Sequence, residues 1–356
     1  MRYWKMRAAL LSVAIGLVGV GSAGAALPAP TGEVMYDTLD YTGPGAVNTL
    51  LTGIRGDYIV GLYTTSSNAS RGLIYDRVAR TWTQLDVVIA GVPAASTSPY
   101  GPDPVTGGLH VVGSYKLAGS SLDHGFYYDS TKPPGSAFVL LDYPSTPQST
   151  TLNTIPHSIY GNNVVGNYDT SLKTGNAFLY NIETQTYRNI NKPNDSRFNP
   201  TFSTTAYGIW ENHVAGSYTN LTGTHAYLHN LTTGVFTKYD YPGAILTHFD
   251  GITSNNAGAF NYTGDYLLGR KLIAFFFDGK TYTTLNYPGS VVTSGNSVYD
   301  WTVVGVYTDT SGVVHGYIAT VPQSQRVPFT FQWFVDRLKD AYSNAIRVVV
   351  RSIFGR

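Results

Sequence analysis

Six times along the chain a short string of the type Leu-Asp-Tyr-Pro returns, and this recurrence constrains the fold more than any other feature. The copies begin at Leu39, Leu85, Leu141, Ile190, Tyr239 and Leu285. A second string, Thr followed four residues later by Gly or Ser, trails each copy in phase. It stands at Thr49/Gly53, Thr97/Gly101, Thr154/Ser158, Thr204/Gly208, Thr247/Gly251 and Thr293/Ser297. A third, Val-Gly-x-Tyr, ends at Tyr63, Tyr115, Tyr168, Tyr218, Tyr262 and Tyr307, with Phe260 in place of Gly in the fifth copy. A fourth is a short aromatic run such as residues 124–128 or 225–228.

Each unit thus offers four runs rich in Val, Ile, Thr, Tyr and Phe, separated by Gly, Asn, Asp or Ser, which reads as a four-stranded antiparallel meander. One such sheet cannot bury both of its faces, whereas six stacked around an axis bury them against one another. The predicted fold is therefore all-β: a six-bladed β-propeller of four-stranded antiparallel blades over residues 33–322. The first Leu-Asp-Tyr string has no strands before it, and the last unit lacks one. The N-terminal strand is accordingly predicted to close the last blade.

Composition narrows the chemistry. With 23 Lys and Arg against 22 Asp and Glu, the chain lacks the basic excess of a nucleic-acid coat, and no nucleic-acid partner is predicted. The absence of Cys removes disulfides, thiolate metal sites and thiol nucleophiles.

The two ends differ from the repeat. Arg2, Lys5 and Arg7, an apolar run from Ala8 to Val20 and then Ala23-Gly24-Ala25 have the order of a secretory signal peptide, residues 1–25, cleaved after Ala25. The expected location is secreted or periplasmic. Gly19, Gly21 and Gly24 satisfy a GxGxxG pattern there, but with no strand before and no helix after it, the pattern carries no dinucleotide role. At the other end, residues 326–356 form a separate tail. Phe331, Phe334, Val335, Leu338, Tyr342, Ile346, Val349 and Ile353 recur at spacings of three and four, which predicts an amphipathic helix over 330–353. This tail carries six basic residues against two acidic, while the region between signal and tail carries 14 basic against 20 acidic. The opposed charge suits docking on the repeat domain or a peripheral contact with an anionic membrane surface.

No HExxH, GxSxG or EF-hand loop is present, and no catalytic residue, metal ligand or cofactor is predicted. Gly279-Lys280-Thr281 reads as a hairpin turn begun by Asp278. His110, His157, His213, His229 and His248 are scattered and read as surface or turn residues. Departures from the repeat are the best place to seek a site, because equivalent residues mostly specify the fold. Trp210-Glu211-Asn212-His213 and Tyr299-Asp300-Trp301 follow the Thr/Gly strand in the fourth and sixth units. Trp stacks on the apolar face of a sugar and Glu, Asn or Asp bonds its hydroxyls, and Trp210, Glu211, His213, Asp300 and Trp301 are the candidate ligand-binding residues. The alternative for the same residues is packing between blades.

The recurring Val-Gly-x-Tyr, Leu-Asp-Tyr-Pro-Gly and His-Gly-Phe strings, the last at His124-Gly125-Phe126, His225-Ala226-Tyr227 and His315-Gly316-Tyr317, resemble the HAF family of extracellular repeats of secreted bacterial proteins. The resemblance covers about residues 33–322, and Arg71, Asn176 and Ile273 stand at the His position in the other units. It implies a secreted repeat protein and no particular activity. Three functions fit these observations: a non-catalytic propeller that binds polysaccharide or an envelope or protein partner, a hydrolase or lyase acting on an extracellular polymer through Glu211 and Asp300, and a purely structural surface-layer or matrix role.

Overall fold

A computed structural model describes residues 32–255 and 258–323. The predicted signal sequence and the predicted tail helix lie outside the described residues. Within the unit Val34–Val321, the chain is all-β, built of four-stranded antiparallel meanders. The first strands of these meanders are Asn48–Arg55, Ser96–Val105, Thr151–Tyr160, Ser203–Trp210, Leu246–Ser254 and Val292–Tyr299. The fourth and fifth meanders share one sheet through a single parallel bridge, Thr224 to Leu246. The strand Met35–Thr38 pairs antiparallel with Val314–Thr320 and supplies the fourth strand of the last sheet.

Each repeated string has a physical task. The Thr of the second string is buried, and its hydroxyl accepts a hydrogen bond from the backbone N–H that follows the Asp or Asn of the preceding Leu-Asp string. The six donors are Tyr41, Val87, Tyr143, Lys192, Tyr241 and Tyr287, at 2.9–3.1 Å. Without it a buried or half-buried N–H at the crossing between sheets would go unpaired, at a cost of up to about 1–3 kcal/mol. The Gly or Ser four residues on sits where neighbouring first strands meet. A Cβ on Gly53 would lie 1.9 Å from the Tyr100 carbonyl oxygen.

The third string works with the aromatic run. Its Gly faces a large buried side chain on the next strand: Phe126, Phe178, Tyr227 and Tyr317 lie opposite Gly113, Gly166, Gly216 and Gly305. Those rings cross the bare Gly, and a Cβ on Gly113 would meet Phe126 at 2.8 Å. This pairing revises the fifth copy of the string. The Gly there is Gly264, opposite Phe275, so the copy runs Thr263-Gly264-Asp265-Tyr266 and ends four residues after Tyr262. Tyr266 stacks on Tyr241 at 3.7 Å, as Tyr168 stacks on Tyr143 and Tyr307 on Tyr287.

The repeated His has a structural partner. His124, His225 and His315 place Nδ1 2.7–2.9 Å from Asp142, Asp240 and Asp40, each the Asp of a Leu-Asp string. In units that lack the His, Asn176 pairs with Asn191 and Arg71 with Asp86 at the same place. The apolar cores lie between consecutive sheets, and Leu51, Ile54 and Ile59 of the first sheet pack with Val304 of the last. First and last sheets are also bonded directly, Asn296 Nδ2 donating to the Leu51 carbonyl at 2.7 Å and the Ile54 N–H to Ser297 Oγ at 3.3 Å.

Candidate functional site

Opposite the Gly of the third string, each first strand carries a β-bulge. The ladder skips one residue between Leu51 and Gly53, Pro99 and Gly101, Pro156 and Ser158, Ala206 and Gly208, Phe249 and Gly251, and Gly295 and Ser297. The skipped residues are Thr52, Tyr100, His157, Tyr207, Asp250 and Asn296. A bulge leaves its extra residue outside the pairing and re-aims it. All six line one cavity of about 300 Å³, whose wall is completed by side chains such as Asn48, Leu62, Ser98 and Val306. This is at the small end of the range for ligand pockets, roughly 300–1,000 Å³.

The six are not equivalent. Tyr100 and Tyr207 both pack against His157, with ring centroids at 5.2 and 4.8 Å. Burial pushes His157 down to about 3, against the opposing attraction of Asp250, so the imidazole is neutral near pH 7. Burial also pushes the Tyr100 hydroxyl up to about 12, so it stays protonated. Thr52 donates to the Pro99 carbonyl at 2.6 Å and Asn296 to that of Leu51, which fixes both across sheet boundaries. Asp250 is the one carboxylate of the set. It lies beside His248, with Nδ1 to Oδ2 at 3.2 Å, and beside Asp265. The buried His157 and the half-buried His248 are therefore not the surface or turn residues that their scatter in the sequence suggests. The bulge brings one to the cavity, and pairing across the fifth sheet holds the other.

From the bulge residues toward Arg55 lies a second, smaller space of about 20 Å³. Arg55 fills the approach. Its guanidinium donates to Asp103 at 2.9 Å, to the carbonyl of Ile159, and to the Ile209 carbonyl at 2.9 Å. It also rests over the rings of Tyr160 and Trp210, at 5.1 and 5.2 Å.

The residues singled out from sequence fall at this end. Trp210 packs between Tyr160 and Tyr299 under Arg55. Glu211 and Asp300 occupy left-handed turn positions, φ 51° and 54°, where the first and third sheets place Gly56 and Gly161. The exposed Glu211 lies close enough to raise the pKa of Tyr160, after burial the larger cause. His213 turns away to Asn230 and Phe260, and Trp301 to Phe276. The five are not gathered in one place, and none lines the cavity. The cavity residues carried a signal of their own: each is the residue directly before the Gly or Ser of the second string, the variable slot in an otherwise fixed pattern.

No protein-family model matches the chain, and no curated protein does. Solved structures match most of the chain at low identity, among them three with TM-scores under 0.5. A prolyl endopeptidase matches with TM-score 0.44 and 10% identity over 82% of this chain, which spans only 43% of that protein. A protein of unknown function from Dyadobacter fermentans matches with TM-score 0.49 and 11% identity, over 81% of this chain and 99% of that one. A Bacteroides fragilis protein described as exported matches with TM-score 0.43 and 11% identity, over 82% and 95%.

Proposed function

We propose that this chain is a secreted binding protein whose meanders are the blades of a six-bladed propeller, and that it holds a small polyhydroxylated ligand, such as one or two residues of a polysaccharide, in the axial cavity. The observation that carries this reading is the row of bulges. Six equivalent positions deliver six polar or aromatic side chains to one cavity, and the residue type changes from unit to unit while the surrounding strings repeat. Aromatic faces beside hydroxyl, amide, imidazole and carboxylate groups suit a sugar ring, apolar on its faces and polar at its edge. Packing of the first sheet against the last supports closure of the ring. The resemblance to secreted extracellular repeats and the signal-like N-terminus support export, and the basic tail supports an envelope contact.

A polymer-cleaving activity has one observation in its favour, the nearness of Asp250 to two imidazoles. With His157 held neutral well below neutral pH, that residue is a weak base, and binding without turnover fits better. The test is a thermal-shift screen of the mature chain against soluble polysaccharides and oligosaccharides, since any ligand that prefers the folded state raises the melting temperature. One glycan class is expected to produce a shift that Tyr207→Ala reduces. No shift with any glycan overturns the sugar reading.

A further inference from the structure

The fifth sheet differs from the rest at a place unrelated to the repeat. His248 and Asp265 are directly paired across adjacent antiparallel strands, so their side chains share a face, and the bulge at Asp250 brings a second carboxylate beside them. One ligand atom from each residue lies within 4.8 Å of the other two. Other sheets put neutral side chains at this cross-strand position, such as Leu50 with Leu62 in the first and Thr205 with Ser217 in the fourth. Asp250 and Asp265 are 7% and 0% exposed, so two carboxylates are held out of water at one place, with His248 beside both and His157 near Asp250. Burying charge in this way is costly unless a cation or protons compensate it.

We infer that His248, Asp250 and Asp265 form a divalent-metal site that opens toward the cavity through Asp250. One nitrogen and two carboxylate oxygens suit a first-row ion such as Zn²⁺ or Mn²⁺, which binds these atoms at about 2.0–2.2 Å. Ca²⁺, which takes six to eight oxygens, is poorly served by the same set. A supporting contact is present: Ser294 of the neighbouring sheet donates its hydroxyl to Asp265 Oδ2 at 2.9 Å and fixes that carboxylate. With three protein ligands, the ion keeps positions for water or for a hydroxyl of a molecule in the cavity. The site stands whether or not the cavity binds sugar, because the metal alone tests it.

The experiment is calorimetric titration of untagged, chelator-treated full-length protein with Zn²⁺, Mn²⁺ and Ca²⁺, followed by the absorption spectrum of the Co²⁺ form. Saturable binding of one Zn²⁺ or Mn²⁺ per chain is expected. His248→Gln should abolish saturable binding and change the Co²⁺ spectrum, while Ser294→Ala should weaken binding by about tenfold. Asp265→Asn should abolish it as well, and should that variant not fold, His248→Gln decides alone, with circular dichroism confirming its fold. Binding unchanged in His248→Gln places the ion elsewhere and overturns the inference, as does the absence of saturable binding or a response to Ca²⁺ alone.

Discussion

The two ends of the first strands start from the same repeat and reach opposite outcomes. Where the strands end, Arg55 reaches from the first sheet to Asp103 of the second, Ile159 of the third and Ile209 of the fourth, and about 20 Å³ remains open. Around the bulges the side chains stay short of closing the space, and about 300 Å³ is left. One cation with a long, forked side chain makes the difference, because a guanidinium can satisfy three acceptors at once while covering two aromatic rings. The closed end serves stability, and the open end is the place of the proposed recognition.

The variant that breaks both ends together is deletion of residues 33–42. It removes the fourth strand of the last sheet and the Asp40 partner of His315, and cooperative melting should be lost. A monomeric deletion variant that melts like the parent contradicts the closure. Next in size is Arg55→Ala, which leaves Asp103 buried without its cation. A loss of about 3–5 kcal/mol in denaturant unfolding is expected, with ligand binding retained at temperatures where the variant is folded. Equal losses of binding and stability would erase the distinction between the ends. Tyr207→Ala at the open end should do the reverse, lowering glycan affinity about tenfold, or ~1.4 kcal/mol, while melting changes little.

The smallest effect concerns pH at the rim of the open end, where His315 follows Val314 of the cavity wall. Burial disfavours its charge, but hydrogen bonds and charge from Asp40 and Asp309 outweigh burial and raise its pKa above 6.5. A raised pKa means that this pair contributes fully below the unfolded-state value and ceases to contribute as pH rises through the folded-state value. Melting scans of wild type and His315→Gln should therefore differ most at about pH 5.5 and converge at alkaline pH. A difference that grows with pH contradicts the charged pair.

The architecture was largely legible in the sequence because each repeated residue performs a task that only one or two side chains can perform. Thr accepts the crossing N–H, Gly lets a ring or a neighbouring strand pass, and His finds its Asp. The copy that was misread lost its register because Phe260-Asn261-Tyr262 imitates the string four residues early, which hid Asp265. The site was illegible for the opposite reason. A bulge residue has no backbone task, so nothing holds Thr52, Tyr100 and His157 to one residue type. Trp210, Glu211 and Asp300 drew attention as departures from the repeat, yet Trp210 serves the Arg55 closure, and Glu211 and Asp300 replace turn glycines.

The most direct test of the division between the ends is calorimetric titration of one responding glycan into two single variants, Tyr207→Ala and Glu211→Gln. The bulge row as the recognition site predicts a loss of about tenfold in affinity for Tyr207→Ala and wild-type affinity for Glu211→Gln. Affinity lost in Glu211→Gln and kept in Tyr207→Ala would move recognition to the closed end and contradict the account.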